Sequence, residues 1–183
     1  MQRLLFSGYK STLSWSLLSN YTFDEDNGII RDKLTGERCL VVYEGALQSV
    51  FKGLSQIFKA GIEVLLEESS RSAGKRIVDS LGKEAKSDIK SPLSAYSKRF
   101  AQVGFGRVEI CEFKPEKSRM RVRVWNNIFA EIRDKESTYC TYIAGLLAGI
   151  YEKLLHACPK VKEVKCSGHG DPYCEFLLTM KVP

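Results

Sequence analysis

The sequence predicts an α+β fold, with helices packed on an antiparallel sheet, on three observations. Apolar residues recur at three- and four-residue spacing through 47–58 and 62–81, as helices with one buried face require. They change to alternation at 108–110 and 120–124, as half-buried strands require. Later strands fall in adjacent pairs joined by turns while helices fall in runs, the order of an α+β domain rather than a parallel α/β one.

Taken in order, residues 1–27 are expected to form an N-terminal arm ending in the acidic turn Asp24-Glu25-Asp26-Asn27-Gly28, where Asn-Gly favours positive φ and a reversal. Residues 28–183 are expected to form the domain. Cys39-Leu40-Val41-Val42-Tyr43 reads as a short strand. The first helix sets Leu47, Val50, Phe51, Leu54, Ile57 and Phe58 on its inner face. The second, over 61–81, turns Ile62, Leu65, Leu66, Ala73, Ile77 and Leu81 inward. A polar loop over 83–90 precedes Pro92, which suits a first helical turn, and the third helix runs through Leu93, Tyr96 and Phe100 until Gly104-Phe105-Gly106 stops it. Val108 and Ile110 form a hairpin across the 114–118 turn with Met120, Val122 and Val124, leaving Arg119, Arg121 and Arg123 on the other face. The last helix covers 139–155. A second hairpin, 161–167 with 173–181, closes around Gly168-His169-Gly170-Asp171-Pro172.

The chain of 183 residues is 44% hydrophobic and 27% charged, a composition that folds rather than stays disordered, and its length suits one domain with a short extension. The longest uncharged helical stretch, 139–151, is thirteen residues against the ~20 that a span needs, so no transmembrane segment is expected. The first apolar run breaks at Ser7 and Lys10 and lacks the core of a secretory signal, so a cytoplasmic, reducing location is expected. There, six cysteines point to metal ligation or burial rather than disulfides. The net charge of +6 is not concentrated on one element of sequence, and nucleic acid is not an expected partner. Arg119, Arg121 and Arg123, with Lys114 and Lys117 nearby, read as a solvated strand face or an edge protected against aggregation; the alternative, a phosphate-binding stripe, lacks interleaved aromatic residues.

The residues richest in chemistry are Cys140 and the group Glu163, Cys166 and Cys174. Glu163 and Cys166 lie at the end of one hairpin strand, and Cys174 returns on its partner after the Gly/Pro turn, so pairing can bring both thiols to one point. Thiolates with a carboxylate suit a borderline-soft divalent ion such as zinc, whose structural sites are four-coordinate. Two residues are candidates for the fourth ligand. Cys140, at the start of the last helix, has the advantage because the N–H groups and dipole there favour a thiolate; His169 would need a contorted turn. Cys166 and Cys174 also fit a plainer description, two small buried residues on a core hairpin, since their spacing is not that of a tight zinc knuckle.

The run from Trp125 through Tyr139-Cys140-Thr141-Tyr142-Ile143-Ala144-Gly145-Leu146-Leu147-Ala148-Gly149 to Glu163-Val164-Lys165-Cys166 and Gly170-Asp171-Pro172-Tyr173-Cys174-Glu175-Phe176 resembles the 4-vinyl-reductase domain family, also called the hydrocarbon-binding domain. Looser similarity extends back to about Gly28. The resemblance implies a zinc ion held by Cys140, Glu163, Cys166 and Cys174. It further implies the fold shared by TRAPP vesicle-tethering subunits and haem-based nitric-oxide sensors, a dimer, and a small apolar ligand between helices and sheet. No histidine of this chain falls where the family's phenol sensors carry theirs, so phenol is not the expected ligand.

Ala144, Gly145, Ala148 and Gly149 put small residues on adjoining faces of the last helix, which reads as tight core packing. Trp125, Phe129, Tyr142 and Leu146 are the candidate lining of a ligand pocket beside it. No third glycine makes 104–106 a dinucleotide fingerprint, no nicotinamide or flavin site is recognisable, and four protein ligands leave zinc no open position for water. The expectation is a stand-alone, zinc-stabilised domain, not an enzyme, that binds or senses a small apolar molecule as a homodimer and signals through a protein partner. The alternatives are an interaction scaffold of the vesicle-tethering type and, third, a tetrapyrrole vinyl reductase.

Overall fold

The computed structural model describes residues 20–33, 36–80, 90–114, 119–132 and 139–180. The chain divides into two units, Met1–Val41 and Val42–Pro183. In the first, β1 (Tyr21–Asp24), β2 (Ile29–Asp32) and β3 (Arg38–Cys39) form an antiparallel sheet in that order. The expected reversal is present. Asn27 donates from its backbone N–H and its side-chain amide to the Asp24 carboxylate, and Gly28 takes φ +62°. The sequence reading misses β1 and β2, which are four residues each; β1 is mostly exposed and the one buried residue of β2 is Asp32, so neither shows the buried apolar alternation by which strands are recognised. It also expects a strand over 39–43, but the ladder ends at Cys39, and the apolar side chains of 40–43 remain exposed.

The second unit runs α1 (Glu44–Phe58), α2 (Ile62–Ser80), α3 (Lys90–Gln102), β4 (Arg107–Lys114), β5 (Arg119–Trp125), the one-turn α4 (Ile128–Glu131), α5 (Thr141–Leu155), β6 (Pro159–Lys165) and β7 (Cys174–Met180). Its four strands are antiparallel in the order β4-β5-β7-β6, so both expected hairpins form and β7 pairs with β5 between them. The α+β fold class read from the sequence is the one observed. Met120, Val122, Val124, Cys174, Phe176 and Leu178 point to the helices and are 0–1% exposed. Alternation sends Arg119, Arg121, Arg123 and Trp125 to the opposite, outer face, beside Thr179, Leu177 and Glu175 of β7. The interior of the loop expected over 83–90, the interior of the 114–118 turn, Leu81 and residues 1–19 of the expected arm lie outside the described residues. Among the described residues no helix is long and apolar enough to cross a membrane.

Two helices differ from expectation in what they bury. Of the six residues assigned to the inner face of α1, only Phe51 is buried and Leu47 and Leu54 are partly covered, while Val50 and Ile57 are 57% and 74% exposed and Phe58 is also open. On α2, Ile62 and Leu66 are buried, but Leu65 is exposed. Helical period fixes a common side; it does not fix how wide an arc the core covers.

The small residues of α5 pack as the sequence reading holds. A Cβ placed on Gly145 would lie 2.2 Å from the Glu67 carbonyl oxygen, and one on Gly149 would lie 2.0 Å from that of Arg71, so only hydrogen lets α5 approach α2 this closely. At the rim of this seam Glu152 of α5 meets Lys75 at 2.6 Å and Arg71 at 3.5 Å. Gly149→Ala is therefore expected to cost about 2 kcal/mol by overpacking, a fall of roughly 4–8 °C in Tm. Gly53→Ala, on α1 with nothing within 4 Å of the new Cβ, is expected to raise Tm slightly through helix propensity. Equal melting of the two variants would contradict the close approach.

Candidate metal centre

Four side chains from three segments converge at one end of the sheet. Cys140 is the N-cap residue of α5, Glu163 lies on β6, Cys166 follows that strand, and Cys174 opens β7. One ligand atom of each lies within 4.8 Å of all the others. On a regular strand, residues three apart face opposite ways, so Glu163 and Cys166 could not both point inward. A bulge between Glu163 and Lys165 absorbs the odd residue, and both then reach the core side while Lys165 faces outward beside Glu175. The 3₁₀ turn Ser167–His169 and Gly170, at φ +100°, reverse the chain. Asp171 fixes this reversal: its carboxylate accepts the Cys166 N–H at 2.9 Å and its own N–H donates to the Cys166 carbonyl at 3.2 Å.

The sulfur of Cys140 lies 3.7 Å from that of Cys166 and 3.8 Å from that of Cys174. These distances are far beyond the ~2.05 Å of a disulfide. They match the separation of about 3.8 Å that a tetrahedral ion with metal–sulfur bonds of about 2.3 Å imposes. Asn127 donates its side-chain amide to the sulfurs of Cys140, at 3.4 Å, and Cys174, at 3.3 Å. The Ser167 N–H donates to Cys174 at 3.4 Å, with the Ser167 hydroxyl 3.3 Å away. The hydrogen bond shared with Cys140, reinforced by Ser167 and Asn127, pulls the Cys174 thiol down to about 5. Burial pushes the Glu163 carboxyl up to about 7. Its Oε1 is buried with no hydrogen-bond partner. An orphaned carboxylate oxygen beside a thiol poised to ionise is a costly arrangement by itself, and it is one that a cation relieves. The donor set could therefore hold a metal ion, and three sulfurs with one oxygen suit a borderline-soft divalent one.

The other candidates fall elsewhere. Cys39, Cys111 and Cys158 are separate from the cluster, the last two exposed. His169, the rival fourth ligand, is exposed on the wall of a cleft of about 680 Å³ shared with Asn126, Glu131, Ser167 and Pro172. Of the four residues assigned to a ligand pocket, three come together: Phe129 stacks on Tyr142 with centroids 4.4 Å apart, and Leu146 is buried one turn along α5. Trp125 does not join them. Strand alternation puts it on the outer face, 4.7 Å from the Tyr173 ring, where its indole N–H donates to Glu109. Phe51, Phe100 and Phe105 extend the inner aromatic wall to Tyr96, whose buried hydroxyl has no hydrogen-bond partner and is held well above the usual phenol range by burial. The sequence reading passes over Asn127. Its signal is an Asn immediately before Ile128-Phe129-Ala130, an N-cap pattern, and its Oδ1 accepts the Phe129 N–H at 3.1 Å.

Comparison with known proteins agrees with this picture. Residues 120–180 match the model of the 4-vinyl-reductase domain. Two uncharacterized proteins of Methanocaldococcus jannaschii are similar in part: MJ0745 is 34% identical over 83 residues, 45% of this chain and 44% of that one, and MJ0150 is 47% identical over 45 residues, 25% of this chain and 26% of that one. The matches thus span less than half of either relative. Among solved structures, the phenol-responsive sensory domain of the transcription activator PoxR, with phenol, superposes at a TM-score of 0.73 with 16% identity over 90% of this chain and 87% of that one. A vinyl-4-reductase family protein from M. jannaschii gives 0.55 with 22% identity over 79% and 85%. A trafficking protein particle complex subunit 3 from Naegleria fowleri, covalently bound to palmitic acid, gives 0.55 with 18% identity over 76% and 95%. These likenesses establish the TRAPP-subunit and nitric-oxide-sensor type of fold. The family resemblance read from the residues therefore holds at the level of this match: the segment from Met120 to Met180, which carries all four clustered side chains, is similar to the 4-vinyl-reductase domain.

Proposed function

We propose that this chain is a non-catalytic domain that binds a small apolar molecule, is stabilised by zinc, and works as a homodimer. One observation carries the reading: three buried sulfurs and a half-buried carboxylate, brought from the start of α5 and the β6–β7 hairpin, converge within 4.8 Å, with two sulfur pairs at tetrahedral spacing and one carboxylate oxygen lacking a partner. Zinc satisfies that donor set. With four protein ligands the ion is closed, so its role is to clamp the β6–β7 hairpin to the start of α5 rather than to activate water. The apolar ligand is supported by the family match, by the likeness to a phenol-responsive sensory domain, and by the aromatic wall in which Tyr96 offers an unsatisfied donor. Dimerisation is supported by the open apolar side chains Val50, Ile57, Phe58, Val64 and Leu65 on α1 and α2. One feature favours the scaffold alternative: the rings of the aromatic wall touch one another, as in a core filled by its own side chains.

Elemental analysis tests the metal. The chain is expected to carry stoichiometric zinc, Cys166→Ser or Cys174→Ser to lose it with a fall in Tm of roughly 10 °C, and Cys39→Ala, Cys111→Ala and Cys158→Ala to keep it. Zinc retained in either serine variant would refute the site. Asn127→Ala, which removes amide donation to two sulfurs but no ligand, is expected to weaken zinc about 10- to 100-fold in competition with a chromophoric chelator. Undiminished affinity would reduce Asn127 to a helix cap. Native mass spectrometry of protein taken from cells tests the ligand: the expected spectrum shows twice the chain mass with a small adduct that activation removes. A bare chain held by a different protein would favour the scaffold.

A further inference from the structure

We infer that the outer face of the four-stranded sheet is a docking surface for single-stranded nucleic acid. The helices of this unit pack on the inner face, and the outward side chains of Arg119, Arg121 and Arg123 keep 42%, 28% and 33% exposure. Strand pairing adds Arg107 and Lys114 of β4 to that face, and Lys160, Lys162 and Lys165 of β6. Against these eight cations stand, among the described residues of the four strands, three outward carboxylates, those of Glu109, Glu112 and Glu175. The local excess of five positive charges compares with +6 for the whole chain, so folding gathers on one face the charge that the sequence spreads over four strands.

The arrangement is also pre-organised. Glu175 is 3% exposed and accepts hydrogen bonds from both Arg121 and Arg123, and Glu112 meets Arg119 at 3.6 Å and Lys114 at 2.9 Å. Each guanidinium is thereby held in place with further N–H donors left over, the form in which arginine recognises phosphate. Lys160 and Lys162 make no ion pair among the described residues and are exposed.

At one end of this basic face the two rings Trp125 and Tyr173 pack together, with Arg107 5.1 Å over the first and Arg123 4.7 Å over the second. Tyr173 supplies the aromatic character the sequence reading finds lacking, because it arrives from the turn before β7 rather than from β5. Charge alone would suit any polyanion. Stacked arginine and aromatic side chains favour one that carries both phosphates and flat bases. A lipid surface is the poorer fit, because Leu177 is the one aliphatic side chain among the outward residues paired between β5 and β7.

Fluorescence anisotropy of the full chain with fluorescein-labelled oligothymidylate and oligouridylate tests this. Binding is expected at about 50 mM salt and, for four phosphate contacts on a single strand, should weaken roughly 50-fold by about 200 mM. Lys160→Glu with Lys162→Glu should weaken binding at least tenfold without altering thermal melting. The control pair Lys52→Glu with Lys98→Glu, exposed on α1 and α3, changes the net charge equally and should retain binding. No binding to either oligonucleotide, or equal losses from the two pairs, would overturn the proposal. Binding to phosphatidylserine vesicles but to neither oligonucleotide would overturn it in favour of a membrane surface.

Discussion

The constraint on which this structure turns is a buried, electron-rich cluster that the protein's own groups do not neutralise. Three cysteine sulfurs and the Glu163 carboxylate meet where water is largely excluded. The Cys140 thiol, reinforced by N–H donors from Ser167 and Asn127, favours one thiolate, but a carboxylate oxygen is left unsatisfied. Buried polar groups are as a rule paired, so such an oxygen is one that a cation could satisfy. A bound cation would tie β6, β7 and the start of α5 together, so that one bond set spans the last helix and the last two strands.

Much of the remaining architecture can be understood as holding those four side chains in place. Cys140 stands at the first turn of α5, and the position of α5 is set by glycines that let its backbone press against α2. Glu163 and Cys166 share a side because β6 bulges between them, and Cys174 follows a reversal fixed by Asp171 and Gly170. Asn127 connects the same cluster to α4, whose first turn it caps through its other side-chain atom. The inner aromatic wall begins at Phe129, two residues further on, so the candidate metal cluster and the candidate ligand site share a short stretch of chain.

The sequence is most legible where period or spacing has a single geometric meaning. Alternation through 119–125 assigns the inner and outer faces of β5 correctly, and the Gly145/Gly149 spacing marks the close helix contact. The clustering of the four candidate residues is expected through family resemblance more than spacing, since nothing in Glu-x-x-Cys announces the bulge that brings both side chains to one face. What escapes is short or depends on a partner. β1, β2 and α4 have too few residues for a period to show. The exposure of Val50 and Ile57 depends on how much of α1 its neighbours cover, which lies outside the helix itself. Trp125 groups with Phe129 by proximity in sequence, although strand parity sends it to the opposite face.

The two faces of the sheet divide the chemistry. Inside are the cysteine–glutamate cluster and the aromatic wall; outside is a field of arginine and lysine in which Glu112 and Glu175 order the arginines. X-ray absorption at the zinc edge, on protein purified without added metal, examines the inner face directly. The expected spectrum has a zinc edge with three sulfur neighbours at about 2.3 Å and one oxygen at about 2.0–2.2 Å. An absent zinc signal, or a coordination shell without sulfur, would contradict it.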